Sequence, residues 1–127
     1  DSNHRAIVEH LTRSGFAMLQ QQVDTRDEKR FLIAGAQVIG VYGKRHVDHR
    51  SNLAAGSVPP IVQATSAELG LVETCIRWLN ARGVRFATID VAHPYLLDIN
   101  IANPGWLATY EELTGCNLAD KVVQALQ

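Results

Sequence analysis

Residues 89–104, Ile-Asp-Val-Ala-His-Pro-Tyr-Leu-Leu-Asp-Ile-Asn-Ile-Ala-Asn-Pro, constrain this chain more than any other stretch. They read as two short strands joined by a tight turn at His93-Pro94. A hairpin centred near Pro94 sets Asp90 opposite Asp98, with Asn100 two residues further along on the same face. Like charges facing each other across a sheet are destabilising, so stability alone does not select this pair. Oxygen donors grouped in this way suit a hard cation such as Mg²⁺, which takes one or two carboxylates and leaves positions for phosphate. The opposite face carries Ala87, Ile89, Leu97, Ile99 and Ile101, and is expected to be the core side.

Length and charge narrow the class. A chain of 127 residues suffices for one domain with a real core, and 46% hydrophobic residues with a net charge of -1 describe an ordinary globular protein. Twelve basic against 13 acidic residues argue against general nucleic-acid or membrane-surface binding. No apolar run approaches a membrane span and no signal-peptide pattern opens the chain, so a cytoplasmic protein is expected. Cys75 and Cys116 are too few for a disulfide scaffold and read as reduced and structural. The chain opens at Asp1 rather than Met, which leads us to expect a fragment of something longer. Composition leaves the oligomeric state open, a homo-oligomer included.

The order of local signals is α+β. Asn3 can cap a first helix bearing Ile7, Val8 and Leu11, with Gly15 past its end. Phe16 to Val23 reads as a strand, and Asp24 to Lys29 as a charged connection. Arg30–Ile33 and Gln37–Tyr42 read as a hairpin about Ala34-Gly35-Ala36. Thr65-x-x-Glu68 is a capping box ahead of a helix striped by Leu69, Val72, Cys75, Ile76 and Leu79, which Gly83 ends. The hairpin of Asp90 and Asp98 follows. Gly105 to Leu113 predicts a short helix or turn, and Asn117 can cap a last helix bearing Leu118, Val122 and Leu126.

Between Gly43 and Gln63 no periodicity is visible, and a long loop of that kind is usually functional or disordered. It holds Lys44, Arg45, His46, Asp48, His49 and Arg50, then Ser51-Asn52-Leu53-Ala54-Ala55-Gly56-Ser57. Small residues let the backbone approach a ligand closely, and Arg50 offers a planar permanent cation suited to phosphate oxygens. A solvated surface loop is the plain alternative, and His46, Asp48 and His49 could also be read as zinc ligands, although no fourth ligand is evident. His4, His10 and His93 read as solvent-facing or turn residues.

Arg50-Ser51-Asn52-Leu53, then Ala55-Gly56, Asp90 and Asp98-Ile99-Asn100, resemble in order and spacing the C-terminal part of prokaryotic glutathione synthetase, an ATP-grasp ligase. Leu19-Gln20-Gln21-Gln22-Val23 resembles the segment linking the two ATP-grasp subdomains, whose backbone reads the adenine edge. Asp27-Glu28-Lys29-Arg30 resembles the Gly-Asp-Lys-Arg that follows it in the family. The resemblance covers nearly the whole chain and implies one C-terminal ATP-grasp subdomain over residues 1–127, a mainly antiparallel sheet flanked by helices.

It also implies roles. Asp90, Asp98 and Asn100 would hold one or two Mg²⁺ between the β- and γ-phosphates of ATP. Arg50 would contact the transferring phosphoryl group, while Asn52, Ala54, Ala55 and Gly56 would belong to a loop closing over a small peptide substrate. Gln20, Gln21, Gln22 and Val23 would line the adenine, Glu28 the ribose, and Arg30 the acceptor side. The chemistry implied is phosphorylation of a peptide carboxylate and its capture by an amine. Asp98 stands where the family usually has Glu, Ser57 replaces the second loop glycine, and Gln22 replaces a common aromatic. The N-terminal domains of such a ligase, with the nucleotide lysines and glycine-rich lid, have no counterpart here. The isolated chain is therefore expected to be inactive. A non-catalytic binding or assembly module on the same fold, or a peptide ligase with another acceptor, is the alternative.

Overall fold

Two hairpins, each dictated by local turn residues, are brought side by side to make the sheet. The computed structural model describes residues 2–13, 15, 20–44, 60–105 and 107–127. The first hairpin joins β1 (Lys29–Ala34) to β2 (Gln37–Gly43) through Gly35, whose φ of 59° suits glycine. The second joins β3 (Phe86–Ala92) to β4 (Tyr95–Asn100) through the cis His93-Pro94 turn. All pairings are antiparallel, and the four-stranded order is β2-β1-β3-β4. β1 is therefore a central strand, and Phe31, Leu32, Ile33 and Ala34 are buried on both faces.

One face of the sheet packs on α2 (Ser66–Asn80). Val72, Cys75, Ile76 and Leu79 of that helix meet Phe31, Ile33, Ala87, Ile89 and Val91, the alternate positions of three strands. The expected stripe of α2 is thus its buried face. Its capping box also forms. Thr65 Oγ1 accepts from the Glu68 amide at 3.3 Å, and Glu68 Oε2 accepts from the Thr65 amide at 2.7 Å. Thr65→Ala is expected to cost about 1 kcal/mol, read as a lower urea midpoint with an unchanged slope.

The other face is covered over β1 and β2 by α3 (Leu107–Thr114) and α4 (Leu118–Leu126), through Leu118, Leu107 and Tyr110 against Leu32 and Tyr42. Asn117 caps α4 as expected, its side chain accepting from the Asp120 amide. At the other end of α4, Arg85 Nη1 and Nη2 donate to the carbonyls of Leu126 and Ala125 at 2.8 and 3.0 Å.

Several expectations are corrected. α1 (Ser2–Thr12) is already helical at Ser2, so Asn3 lies inside it, and its Ile7 and Leu11 are exposed. Residues 20–23 form no strand, and 16–19 lie outside the described residues. Lys29 belongs to β1 and Gly43 to β2, while Ile61 bridges back to Tyr42, so both connections are shorter than the sequence suggests. Cys75 is a core residue, whereas Cys116 is exposed; neither forms a disulfide. Leu97 is not on the core face. An irregularity in the β3–β4 pairing places Leu96 opposite Val91 and Asp98 opposite Asp90, so Leu97 is the extra residue of a bulge. Leu96 takes the apolar side, where it lines a shallow groove with Cys75, Trp78 and Ile99. Ile101 follows the strand and is exposed.

Candidate functional site

Strand alternation assembles the site on the face that α2 does not cover. In register, Arg30 faces Tyr42 on one side and Asp90 on the other, and Asp90 faces Asp98. Thr88, two residues from Asp90, faces Asn100. Asp90, Asp98 and Asn100 thus share one face in the order the sequence implies. Lys44 and Glu28 continue the β1–β2 ladder by one step, the Lys44 amide donating to the Glu28 carbonyl at 2.8 Å.

The charges on this face are bound to one another. Arg30 Nε and Nη2 each donate to one oxygen of Asp90, both at 2.6 Å, in the bidentate fork that guanidinium and carboxylate favour. Lys44 Nζ bridges Asp90 Oδ2 at 2.8 Å and Glu28 Oε1 at 2.5 Å. Glu28 and Asp90 are each only 3% exposed. Two buried anions are therefore matched by two cations, buried Lys44 and half-buried Arg30, the condition under which such charges are tolerated. Burial pushes the Asp90 carboxyl up, but Arg30 and Lys44 outweigh it and hold it below the usual carboxylate range. The hydrogen bond to Asp90 raises Arg30 further, and burial pushes the Tyr42 phenol up to about 12.

Glu68 is held low in the same way: burial opposes, and Lys29 with Thr65 prevails. Carboxyls depressed in the folded state contribute stability that is complete above their ordinary value and lost as pH falls through the folded one. The urea midpoint is thus expected to hold from neutrality to about pH 4 and to fall below it. Asp90→Asn should lower stability throughout and flatten the acid limb. An unchanged acid limb in that variant would remove Asp90 from this account.

The structure brings some expected site residues together and separates others. Asp90, Arg30 and Glu28 form one buried cluster, so Glu28 and Arg30 face internal partners in this conformation rather than open space. Asp98 is exposed, and Asn100 Oδ1 accepts from the Asn103 amide at 3.0 Å. Gln20, Gln21 and Gln22 are exposed and Val23 half-buried on a segment without regular structure. Arg50, Asn52, Ala54, Ala55 and Gly56 lie outside the described residues, as do His46, Asp48 and His49. Sequence reasoning missed two members. Lys44 was assigned to a loop cluster, although its place one step beyond β2 aligns it with Glu28. Thr88 shares the parity of Asp90, and its buried Oγ1 has no hydrogen-bond partner.

Among the described residues no group of three or more His, Cys, Asp or Glu could hold a metal. The donor set here is two carboxylates and an amide oxygen. A carboxylate offers about four acceptor positions. Three on Asp90 are taken, which leaves one on Oδ1, while Asn100 Oδ1 keeps one beyond its bond to Asn103. Together with exposed Asp98, these positions fit a hard cation that keeps several waters or phosphate oxygens.

The sequence matches a family described as prokaryotic glutathione synthetase, ATP-grasp domain, over residues 1–115. The glutathione synthetase of Prochlorococcus marinus (strain MIT 9313) is 34% identical over 101 residues, covering 78% of this chain and 33% of that protein. That of Nitrosomonas europaea is 28% identical over 134 residues, covering 100% of the chain and 42% of the protein. That of Nostoc sp. (strain PCC 7120) is 28% identical over 130 residues, with 98% and 40% covered. This chain thus spans between a third and about two fifths of these curated relatives. The match runs through both hairpins, the capping-box helix and every residue of the polar face, and the chain accordingly belongs to the prokaryotic glutathione synthetase ATP-grasp family.

Proposed function

We propose that this chain supplies the metal side of an ATP- and Mg²⁺-dependent carboxylate–amine ligase of the glutathione synthetase type, as its C-terminal ATP-grasp subdomain. The observation that carries the reading is the cross-strand pair of Asp90 and Asp98, with Asn100 beside it, on a sheet face turned away from the α2 core. The reaction would join γ-glutamylcysteine to glycine through an acylphosphate, with release of ADP and phosphate.

Asp90, Asp98 and Asn100 would hold Mg²⁺, which neutralises charge on the β- and γ-phosphates during transfer. The residues of the chain would do the rest by placement. Asp98, exposed at the rim, can reach a ligand without disturbing the buried cluster. Arg30, locked by two bonds to Asp90, would hold that carboxylate in place on the acceptor side. Arg50 would meet the phosphoryl group, and the small residues Ala54, Ala55 and Gly56 would let the loop close and keep water from the acylphosphate. The backbone of Gln20, Gln21, Gln22 and Val23 would serve the adenine edge.

Half a nucleotide cleft leaves a triphosphate solvated, so the isolated chain should form no amide from ATP, γ-glutamylcysteine and glycine. It should still bind Mn²⁺ weakly, as line broadening at the Asp98 and Asn100 amides that disappears in Asp98→Ala. Broadening that ignores Asp98→Ala would sink the metal assignment. Glycine-dependent ADP release by the isolated chain would sink the half-site account.

A further inference from the structure

Thr74, Cys75 and Trp78 of α2, with Leu96 and Ile99 of β4, line an apolar groove of about 380 Å³ at the edge of the sheet. Trp78 is 52% exposed and Leu96 42%, and Ile101, two residues on from Ile99, is exposed as well. Large apolar side chains gathered on one stretch of surface mark a contact. The indole is also held in place. The Arg82 guanidinium stacks 3.9 Å from the centre of the Trp78 ring, and its Nη1 donates to the Trp78 carbonyl at 3.0 Å. A tryptophan set by an arginine at the rim of an apolar groove has the make-up of an interface anchor, with little side-chain freedom left to lose on binding.

The occupant follows from length and from strand geometry. This chain spans only a third to two fifths of its relatives, so the larger part of such a protein lies outside it. β4 is an outer strand of the described sheet and serves two faces: Asp98 and Asn100 belong to the polar site, Leu96 and Ile99 to the groove. Whatever completes the nucleotide cleft over Asp98 reaches the groove by crossing one strand. The bulge at Leu97 breaks the regular edge of β4, which disfavours strand-to-strand pairing with a second copy. We propose that the groove seats an apolar segment from the part of the ligase outside this chain, with Trp78 and Leu96 as its anchors. This inference rests on the ligase reading above and names the surface by which the subdomain joins the remainder of the protein.

The test is hydroxyl-radical footprinting read by mass spectrometry, on this chain and on the full-length ligase, both unmutated. Trp78 and Leu96 should oxidise readily in the chain and at least about fivefold more slowly in the ligase. Equal oxidation in the two overturns the proposal. So does protection in the chain alone that grows with its concentration, because a second copy is then the cover. Leu96→Glu is the second measurement. It should leave the urea midpoint of the chain unmoved, since the side chain is exposed there, and lower that of the ligase, where a carboxylate would be buried. An unmoved midpoint in both also overturns the proposal. Amide synthesis by the same ligase is read separately. Shielded Trp78 without it spares the interface and overturns the ligase reading, and open Trp78 with it does the reverse.

Discussion

Arg30→Ala is expected to destabilise this chain by about 3–5 kcal/mol, because it strips both guanidinium bonds from a buried carboxylate. Asp90 is 3% exposed and would be left with Lys44, which it already shares with Glu28. Set against a typical total of about 5–15 kcal/mol for a domain, that loss removes much of the folded population. Urea unfolding followed by far-ultraviolet circular dichroism reads it directly. Arg30→Lys keeps the charge but cannot fork to both oxygens, so it should fall between the two. Arg26→Ala breaks a fully exposed pair with Asp24 and should leave the midpoint unmoved. A loss below about 1 kcal/mol for Arg30→Ala would mean that Asp90 relaxes to water, and that the face is looser than its distances imply.

Gly35→Ala is the second large effect, at about 2–4 kcal/mol. Left-handed backbone costs a residue with a side chain roughly 1 kcal/mol, and overpacking adds about 1–3 kcal/mol. Gly35 has a φ of 59°, and a Cβ there would clash with the Ala125 carbonyl oxygen. That oxygen belongs to the end of α4, which Arg85 already holds, so it has little room to move. Asn80 Nδ2 donates to the Gly35 carbonyl at 3.1 Å and fixes the corner from the α2 side. Faster amide exchange confined first to Leu118–Leu126 is the expected signature. Gly83→Ala is the control: its φ is 77° but nothing lies within 4 Å of the added Cβ, so only the backbone cost applies. Equal losses at the two glycines would remove the α4 contact from the explanation.

The sequence by itself determined what depends on neighbours a few residues apart. Thr65 and Glu68 form their box, Asn117 caps α4 through Asp120, and the turns at Gly35 and His93-Pro94 make their hairpins. The opposition of Asp90 and Asp98 belongs to this class, and so does the family, whose motifs are carried by short runs of residues. Even here alternation misled: the bulge at Leu97 moved Leu96 to the core side, where no period can be read, and Ile101 lies exposed past the end of β4. Phe16 to Val23 reads as a strand, but residues 20–23 form none.

Only the tertiary structure decided which hairpin edges meet. Pairing of β1 with β3 joins residues about sixty positions apart, and from it come the Arg30–Asp90 fork and the reach of Lys44 across 46 positions to the same carboxylate. Periodicity tells which face a side chain takes but not which strand lies beside it. A lysine just past a strand therefore looks like one more loop cation until the sheet order is known. Burial then does what spacing cannot: it removes water from Glu28, Lys44 and Asp90 together, with Arg30 partly covered beside them, so each charge must find its partner in the protein.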